Sequence, residues 1–131
     1  MRKIIFFIGV LFAVSCAQKP TELIGVWEVN TPYHKAVYSI EEYEDNIVGK
    51  IKYYNDNTFV YKESGTPKDI FLHKLKRKDS LYIDAISGAT NTNHEWVIQQ
   101  KHLDTLEVTQ YIHNKPLQEV WIKKRNSNEN N

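Results

Sequence analysis

The sequence has 131 residues, enough for one domain, with 17 basic side chains, 16 acidic ones and a formal net charge of +1. If residues 1–15 are removed as a signal, two basic residues leave with them, and 15 basic side chains against 16 acidic ones give a net charge of −1. A near-neutral body argues against nucleic acid as a partner. The single cysteine allows no internal disulfide, so packing and hydrogen bonds must hold the fold.

The first residues predict a secretion signal that ends in a lipid attachment site. Arg2 and Lys3 precede an apolar run over 4–14, which is too short to span a bilayer but suits a signal peptide. The segment Ala13-Val14-Ser15-Cys16 resembles a bacterial lipobox, which implies that Cys16 becomes the lipidated first residue. Ordinary secretion with an unmodified Cys16 is the alternative.

This interpretation divides the chain into four parts. We expect a signal peptide at 1–15, the lipidated Cys16 and a tether at 16–22, a β-barrel domain at 23–125 and a disordered tail at 126–131. The protein would be anchored through Cys16 to the outer or inner membrane of a bacterial cell envelope. Its barrel would lie in the periplasm or at the surface, and we expect a monomer.

Turn residues recur about every ten positions after the tether and separate short segments of strand composition. The predicted strands are 23–29, 35–43, 47–54, 58–62, 70–76, 80–86, 94–101, 105–112 and 117–125. Short connections make neighbouring strands antiparallel. The sequence therefore predicts an all-β fold, a single antiparallel up-and-down barrel of eight or nine strands.

The first predicted strand has a clear alternation of side chains between its two faces. Leu23, Gly25, Trp27 and Val29 alternate on one side, and Gly25 would leave room beside the indole of Trp27. We expect this strand to start the barrel and the last strand to close it.

The last three predicted strands form a sheet whose inward face can be written as rows. Tight turns at 102–104 and 114–115 would align four rows of side chains. These rows are Trp96, Gln110 and Glu119; Ile98, Val108 and Trp121; Gln100, Leu106 and Lys123; and His94, Ile112 and Leu117.

Polar side chains interrupt this inward face. Gln110 and Glu119 adjoin Trp96 in the predicted register, with His94 one row away. Such groups either satisfy one another in a structural network or line a cavity, since small barrels can be filled or hold one small ligand. An unpaired, buried Glu119 would have a raised pKa, so we expect His94 or Lys123 as its partner.

No reaction is indicated by the sequence. The histidines at positions 73, 94 and 113 lack metal-ligand spacing, and no serine has a neighbouring histidine or lies in a nucleophile elbow. We therefore predict no metal, no cofactor, no catalytic residue and no enzymatic activity.

Gly25-x-Trp27 on the first strand, with Lys123 inward on the last, resembles the lipocalin and avidin superfamily, the calycins. The resemblance implies that Lys123 lies over Trp27 and closes the barrel, although Arg is the commoner residue there. The chain is also similar to a family of uncharacterised small bacterial envelope proteins with a lipocalin-like barrel. The matching segments are Gly25-Val26-Trp27, Tyr38 to Tyr43, Val48-Gly49-Lys50-Ile51, Asp84-Ala85-Ile86-Ser87-Gly88, Thr105-Leu106-Glu107-Val108 with Tyr111, and Trp121-Ile122-Lys123.

Two functions follow from these patterns. In the first, the anchored barrel binds a small, largely apolar ligand through Trp96, Gln110, Glu119, His94 and Trp121. In the second, a solid barrel acts as an envelope inhibitor or assembly factor through its loops. The loop at 87–93 and the pair Tyr33 and His34 would then make the contacts.

Overall fold

The computed structural model describes residues 19–85 and 94–125, apart from the side chain of His94. The predicted signal peptide, the predicted lipid attachment site Cys16, the loop at 87–93 and the tail at 126–131 lie outside these residues. Neither of the two described helical segments, the 3-10 turns Thr21–Leu23 and Pro67–Asp69, is long or apolar enough to cross a membrane.

Ten strands form one curled antiparallel sheet, so the all-β prediction is confirmed. The strands are β1 (Gly25–Asn30), β2 (Lys35–Tyr43), β3 (Asn46–Asn55), β4 (Val60–Lys62), β5 (Ile70–Leu72), β6 (Leu75–Lys78), β7 (Leu81–Asp84), β8 (His94–His102), β9 (Thr105–Ile112) and β10 (Lys115–Lys123). Their order is β4-β3-β2-β1-β10-β9-β8-β7-β6, with β5 also paired to β3. The first and last strands pair as predicted, with Trp27 opposite Lys123.

The sheet is a half-barrel, whereas the sequence predicted a closed barrel. Among the described residues, no ladder joins β6 at one edge to β3, β4 or β5 at the other. The predicted strand 70–76 is in fact two strands. The segment pairs with β3 as far as Leu72 and with β7 from Leu75 onwards. Asp84, which is 2% exposed, accepts the backbone N–H groups of His73 and Lys74, each at 3.0 Å. This carboxylate therefore fixes the crossing between the two edges.

Side-chain alternation on the first strand is confirmed. Leu23 and Trp27 are fully buried and Val29 is 2% exposed, although Leu23 lies in the 3-10 turn before the strand. The indole Nε1 of Trp27 donates to the carbonyl of Leu23 at 3.0 Å, which holds this turn against the end of the half-barrel.

Gly25 accommodates the side chain of Lys123, which lies over the indole of Trp27. A Cβ at position 25 would lie 2.6 Å from Cε of Lys123, closer than carbon atoms can approach. The Nζ of Lys123 lies 5.8 Å from the ring centroid of Trp27, within the range of a cation–π contact. The contact that the calycin resemblance implies is thus present.

The predicted register is confirmed between β8 and β9 and is wrong between β9 and β10. Between β8 and β9, Trp96 pairs with Gln110 and Ile98 with Val108, as predicted. Between β9 and β10 the pairing is displaced by two residues: Leu117, not Glu119, is opposite Gln110, and Leu106, not Val108, is opposite Trp121.

The position of one turn explains this displacement. His113 and Asn114 have φ values of 52° and 69°, the left-handed conformation that both central residues of a type I′ hairpin adopt. The predicted turn at 114–115 is therefore one residue too late. A turn displaced by one residue moves the partner strand by two, so the inward face is preserved, and Trp121 is fully buried as predicted.

Candidate functional site

A cleft of about 590 Å³ opens at the end of the half-barrel where β1 runs into the loop before β2. Most of its wall is formed by aromatic rings and aliphatic side chains, and a few polar groups lie among them. The lining residues are Thr31, Pro32, Tyr33, His34, Tyr38, Tyr54, Trp96, Val108, Gln110, Leu117, Gln118 and Glu119. They come from β2, β3, β8, β9 and β10 as well as the loop.

Glu119 is the centre of a polar network in this cleft. Its Oε1 accepts the indole Nε1–H of Trp121 at 2.8 Å, and its Oε2 lies 3.1 Å from Nε2 of His34. The Nδ1 of His34 lies 3.2 Å from the hydroxyl of Thr31. The side chains of Glu119 and His34 are 20% and 18% exposed, so both reach the cleft surface.

The hydrogen bonds of Thr31 fix the position of His34. The Oγ1 of Thr31 accepts the backbone N–H groups of Tyr33 and His34 at 3.1 and 3.0 Å. Its own proton is donated to the backbone carbonyl of His34 at 3.2 Å, and the same oxygen lies 3.2 Å from Nδ1 of the imidazole. Both ring nitrogens of His34 have polar partners, and the Thr31 hydroxyl is held by the loop. These contacts fix the loop of Thr31 and His34 beside the carboxylate of Glu119.

Packed aromatic rings form the base of the cleft. Tyr38 lies 4.6 Å from Trp121 and 5.0 Å from Phe71 between ring centroids. Phe71 in turn meets the edge of Trp96 at 5.4 Å. Such offset and edge contacts add to the stability gained from burial.

Two of the three tyrosines in the wall, Tyr38 and Tyr54, are held as neutral phenols. Burial raises the pKa of Tyr38, and the negative charge of Glu119 raises it further. Burial likewise raises the pKa of Tyr54, whose hydroxyl donates to Asp56 at 3.2 Å. The imidazole of His34 packs on the ring of Tyr54 with centroids 5.5 Å apart.

The structure brings three of the predicted ligand-binding residues to one cleft. Trp96, Gln110 and Glu119 all line it, but Glu119 is opposite Val108 and so lies one row from Gln110. Trp121 lies beneath the surface and reaches the site through its bond to Glu119. The side chain of His94 is outside the described residues, and the role of all five in binding stays a prediction.

Of the two predicted partners of Glu119, Lys123 is wrong, and the side chain of His94 lies outside the described residues. His34 is its partner, whereas Lys123 lies over Trp27 at the opposite end of the sheet. The sequence contained a signal for this contact. Continuing the β1–β10 register from Trp27 and Lys123 by four residues sets Thr31 opposite Glu119, so the loop at Thr31 must begin beside that carboxylate.

Two further lining residues, Tyr38 and Tyr54, were not predicted for the site. Both positions follow from side-chain alternation once β2 and β3 are paired. Ala36 on β2 is buried and lies opposite Tyr54 on β3, and Tyr38 is two residues after Ala36 and so on the same face of β2. The sequence alone does not indicate that β2 and β3 line the cleft.

Within residues 19–85 and 95–125, no three His, Cys, Asp or Glu side chains are placed to hold a metal ion. Comparisons of the chain with protein-family models, with curated proteins and with solved structures found no match.

Proposed function

We propose that this protein is a lipid-anchored lipoprotein of the bacterial cell envelope whose lipocalin-like half-barrel binds a small, largely apolar ligand. The observation that carries the proposal is the cleft of about 590 Å³ with an aromatic wall and a few placed polar groups. Ligand sites in proteins have this composition and typically fill roughly 300–1,000 Å³. Glu119 and Gln110 would orient the ligand, and Trp96 would provide apolar surface.

A second candidate is an interaction module, and the rim of the cleft favours it. Tyr33 and Leu117, which line the mouth, are 81% and 58% exposed, and the nearby Phe59 is 57% exposed. Clustered exposed apolar residues commonly mark contact sites. In this case the rim, not the interior, would meet a partner protein of the envelope.

Native mass spectrometry of the protein purified from its own host distinguishes the two candidates. Ligand binding predicts a small-molecule adduct that dissociates on collisional activation and is separate from any covalent lipid. A protein that shows no adduct and binds nothing in a screen of small apolar compounds would contradict the ligand proposal.

Gln110→Leu tests whether the polar groups serve a ligand or the fold. We expect the variant to unfold at nearly the wild-type temperature but to bind ligand more weakly, because an apolar residue of similar size leaves no hole. Thermal unfolding and a ligand titration measure the two effects together. Gln99→Leu, on the outward face of β8, is the matched control.

The opposite result would assign Gln110 to a structural network. A loss of about 1–3 kcal/mol in stability, the usual cost of leaving a buried polar partner unsatisfied, together with unchanged binding, would remove Gln110 from the ligand site.

Cys16→Ser tests the membrane anchor. Wild-type protein should fractionate with membranes, since several acyl chains give stable anchoring where one is marginal. The serine variant should be released into the soluble fraction or remain unprocessed. Fractionation followed by intact-mass measurement is the test, and a soluble wild-type protein with a free Cys16 thiol would refute the anchor.

A further inference from the structure

We infer that the ligand of this cleft carries a positively charged nitrogen, a protonated amine or a quaternary ammonium, placed against Glu119 and the surrounding aromatic rings. This inference rests on the proposed function, because it assigns a chemical class to the ligand of the same site. Three features of the cleft support it: its charge, the spare acceptor capacity of Glu119 and the rings of its wall.

The wall of the cleft presents one carboxylate, that of Glu119. No lysine or arginine is among the described residues that line the cleft, whereas Glu119 contributes a carboxylate. Among the described lining residues, His34 contacts this carboxylate, with Nε2 at 3.1 Å from Oε2. The loop holds this imidazole in place, because the Thr31 hydroxyl donates to the backbone carbonyl of His34 at 3.2 Å and lies 3.2 Å from Nδ1. A cation is therefore the complementary ligand.

Glu119 can accept further hydrogen bonds. A carboxylate offers about four lone-pair sites, and two of them are used, one by the indole N–H of Trp121 and one by His34. The side chain is 20% exposed and lines the cleft. An ammonium group in the cleft can thus donate to this carboxylate, and such charge-assisted bonds are about twice as strong as neutral ones.

The rings of the wall favour the same ligand. Tyr33, Tyr38, Tyr54 and Trp96 line the cleft around Glu119, and ring faces attract cations electrostatically. This chain already contains two such contacts elsewhere, with Lys123 over Trp27 at 5.8 Å and Lys50 over Tyr43 at 5.0 Å. The apolar remainder of the ligand would lie against Val108 and Leu117.

A matched series of probes separates charge from apolar binding. The probes are 4-phenylbutylamine, 4-phenylbutan-1-ol and 4-phenylbutanoate, which share a phenyl ring and a four-carbon chain but differ in charge. Binding to the full-length protein in lipid nanodiscs is measured by isothermal titration calorimetry at pH 7.5, with empty nanodiscs as the blank.

We expect the amine to bind about 10-fold more tightly than the alcohol, and the carboxylate to bind least, because a charged hydrogen bond and a cation–π contact add to the shared apolar term. Glu119→Gln should remove the difference between amine and alcohol. Glu107→Gln, on the outward face of β9, should leave that difference unchanged.

The outcomes distinguish this inference from the function on which it rests. Equal affinities for amine and alcohol, or tightest binding of the carboxylate, would overturn the cationic ligand while the cleft remained a binding site. A difference that persists in a folded Glu119→Gln variant would also overturn it. No binding of any probe would contradict the proposed function itself. The wild-type ranking decides the question even if Glu119→Gln fails to fold.

Discussion

Replacing Trp121 with alanine is expected to lower the free energy of unfolding by about 3–5 kcal/mol, the usual cost of truncating a buried tryptophan. The side chain is fully buried and packs on Tyr38 with ring centroids 4.6 Å apart. It also donates to Glu119 at 2.8 Å, so the variant leaves a cavity and removes a hydrogen bond from the cleft network. Urea unfolding followed by circular dichroism measures the loss.

Trp121→Phe separates the packing of the ring from its hydrogen bond. Phenylalanine retains most of the buried surface but has no donor for Glu119, so we expect a smaller loss of about 1–3 kcal/mol. If the alanine variant loses less than about 1 kcal/mol, far below the range for a buried tryptophan, Trp121 is not the core residue that the register requires. Equal losses in the two variants would assign the whole effect to the hydrogen bond.

Trp27→Ala is expected to have a comparable effect at the other end of the sheet, about 3–5 kcal/mol. Trp27 is fully buried at the junction of the first and last strands, and its Nε1 holds the carbonyl of Leu23 at 3.0 Å. Its loss removes a core side chain and releases the 3-10 turn that covers this end.

The matched variant Lys123→Met tests how much the lysine contributes to this junction. The Nζ of Lys123 is 5.8 Å from the ring of Trp27, and partly exposed cation–π contacts contribute about 0.5–1 kcal/mol. Because methionine keeps the packing of the chain, we expect a loss below about 1 kcal/mol in urea unfolding. A loss of stability as large as that of Trp27→Ala would show that the ammonium group of Lys123, not the indole of Trp27, stabilises the junction.

The faces of the strands were predictable from the sequence, whereas one register was not. Leu23, Trp27 and Trp121 are all inward as predicted, because alternation has a period of two that burial strictly enforces. The turn after β9 was placed wrongly because His113, Asn114 and Lys115 all tolerate a turn, and only backbone φ values distinguish the alternatives. Since this error moved the partner strand by two residues, it left every side chain on its predicted face.

The open edge of the sheet and the contact between His34 and Glu119 could not be predicted from local sequence, because both depend on distant parts of the chain. The segment 70–76 has the composition of a single strand, and the division after Leu72 depends on pairing with β3 on one side and β7 on the other. The buried Asp84 that holds the crossing has no local sequence signature. Likewise, His34 and Glu119 are 85 residues apart, and they meet only because the first and last strands pair.

Titration of the wild-type protein and two tryptophan variants with 4-phenylbutan-1-ol tests most directly whether the cleft binds a ligand. Gln110→Trp places a large side chain inside the cleft, and Thr109→Trp places the same side chain on the opposite face of β9. We predict saturable 1:1 binding by wild type and Thr109→Trp, and affinity at least about 10-fold weaker for Gln110→Trp, since the added ring occupies the ligand volume. Absence of saturable binding by the wild type, or equal affinity in all three proteins, would contradict a ligand site in the cleft.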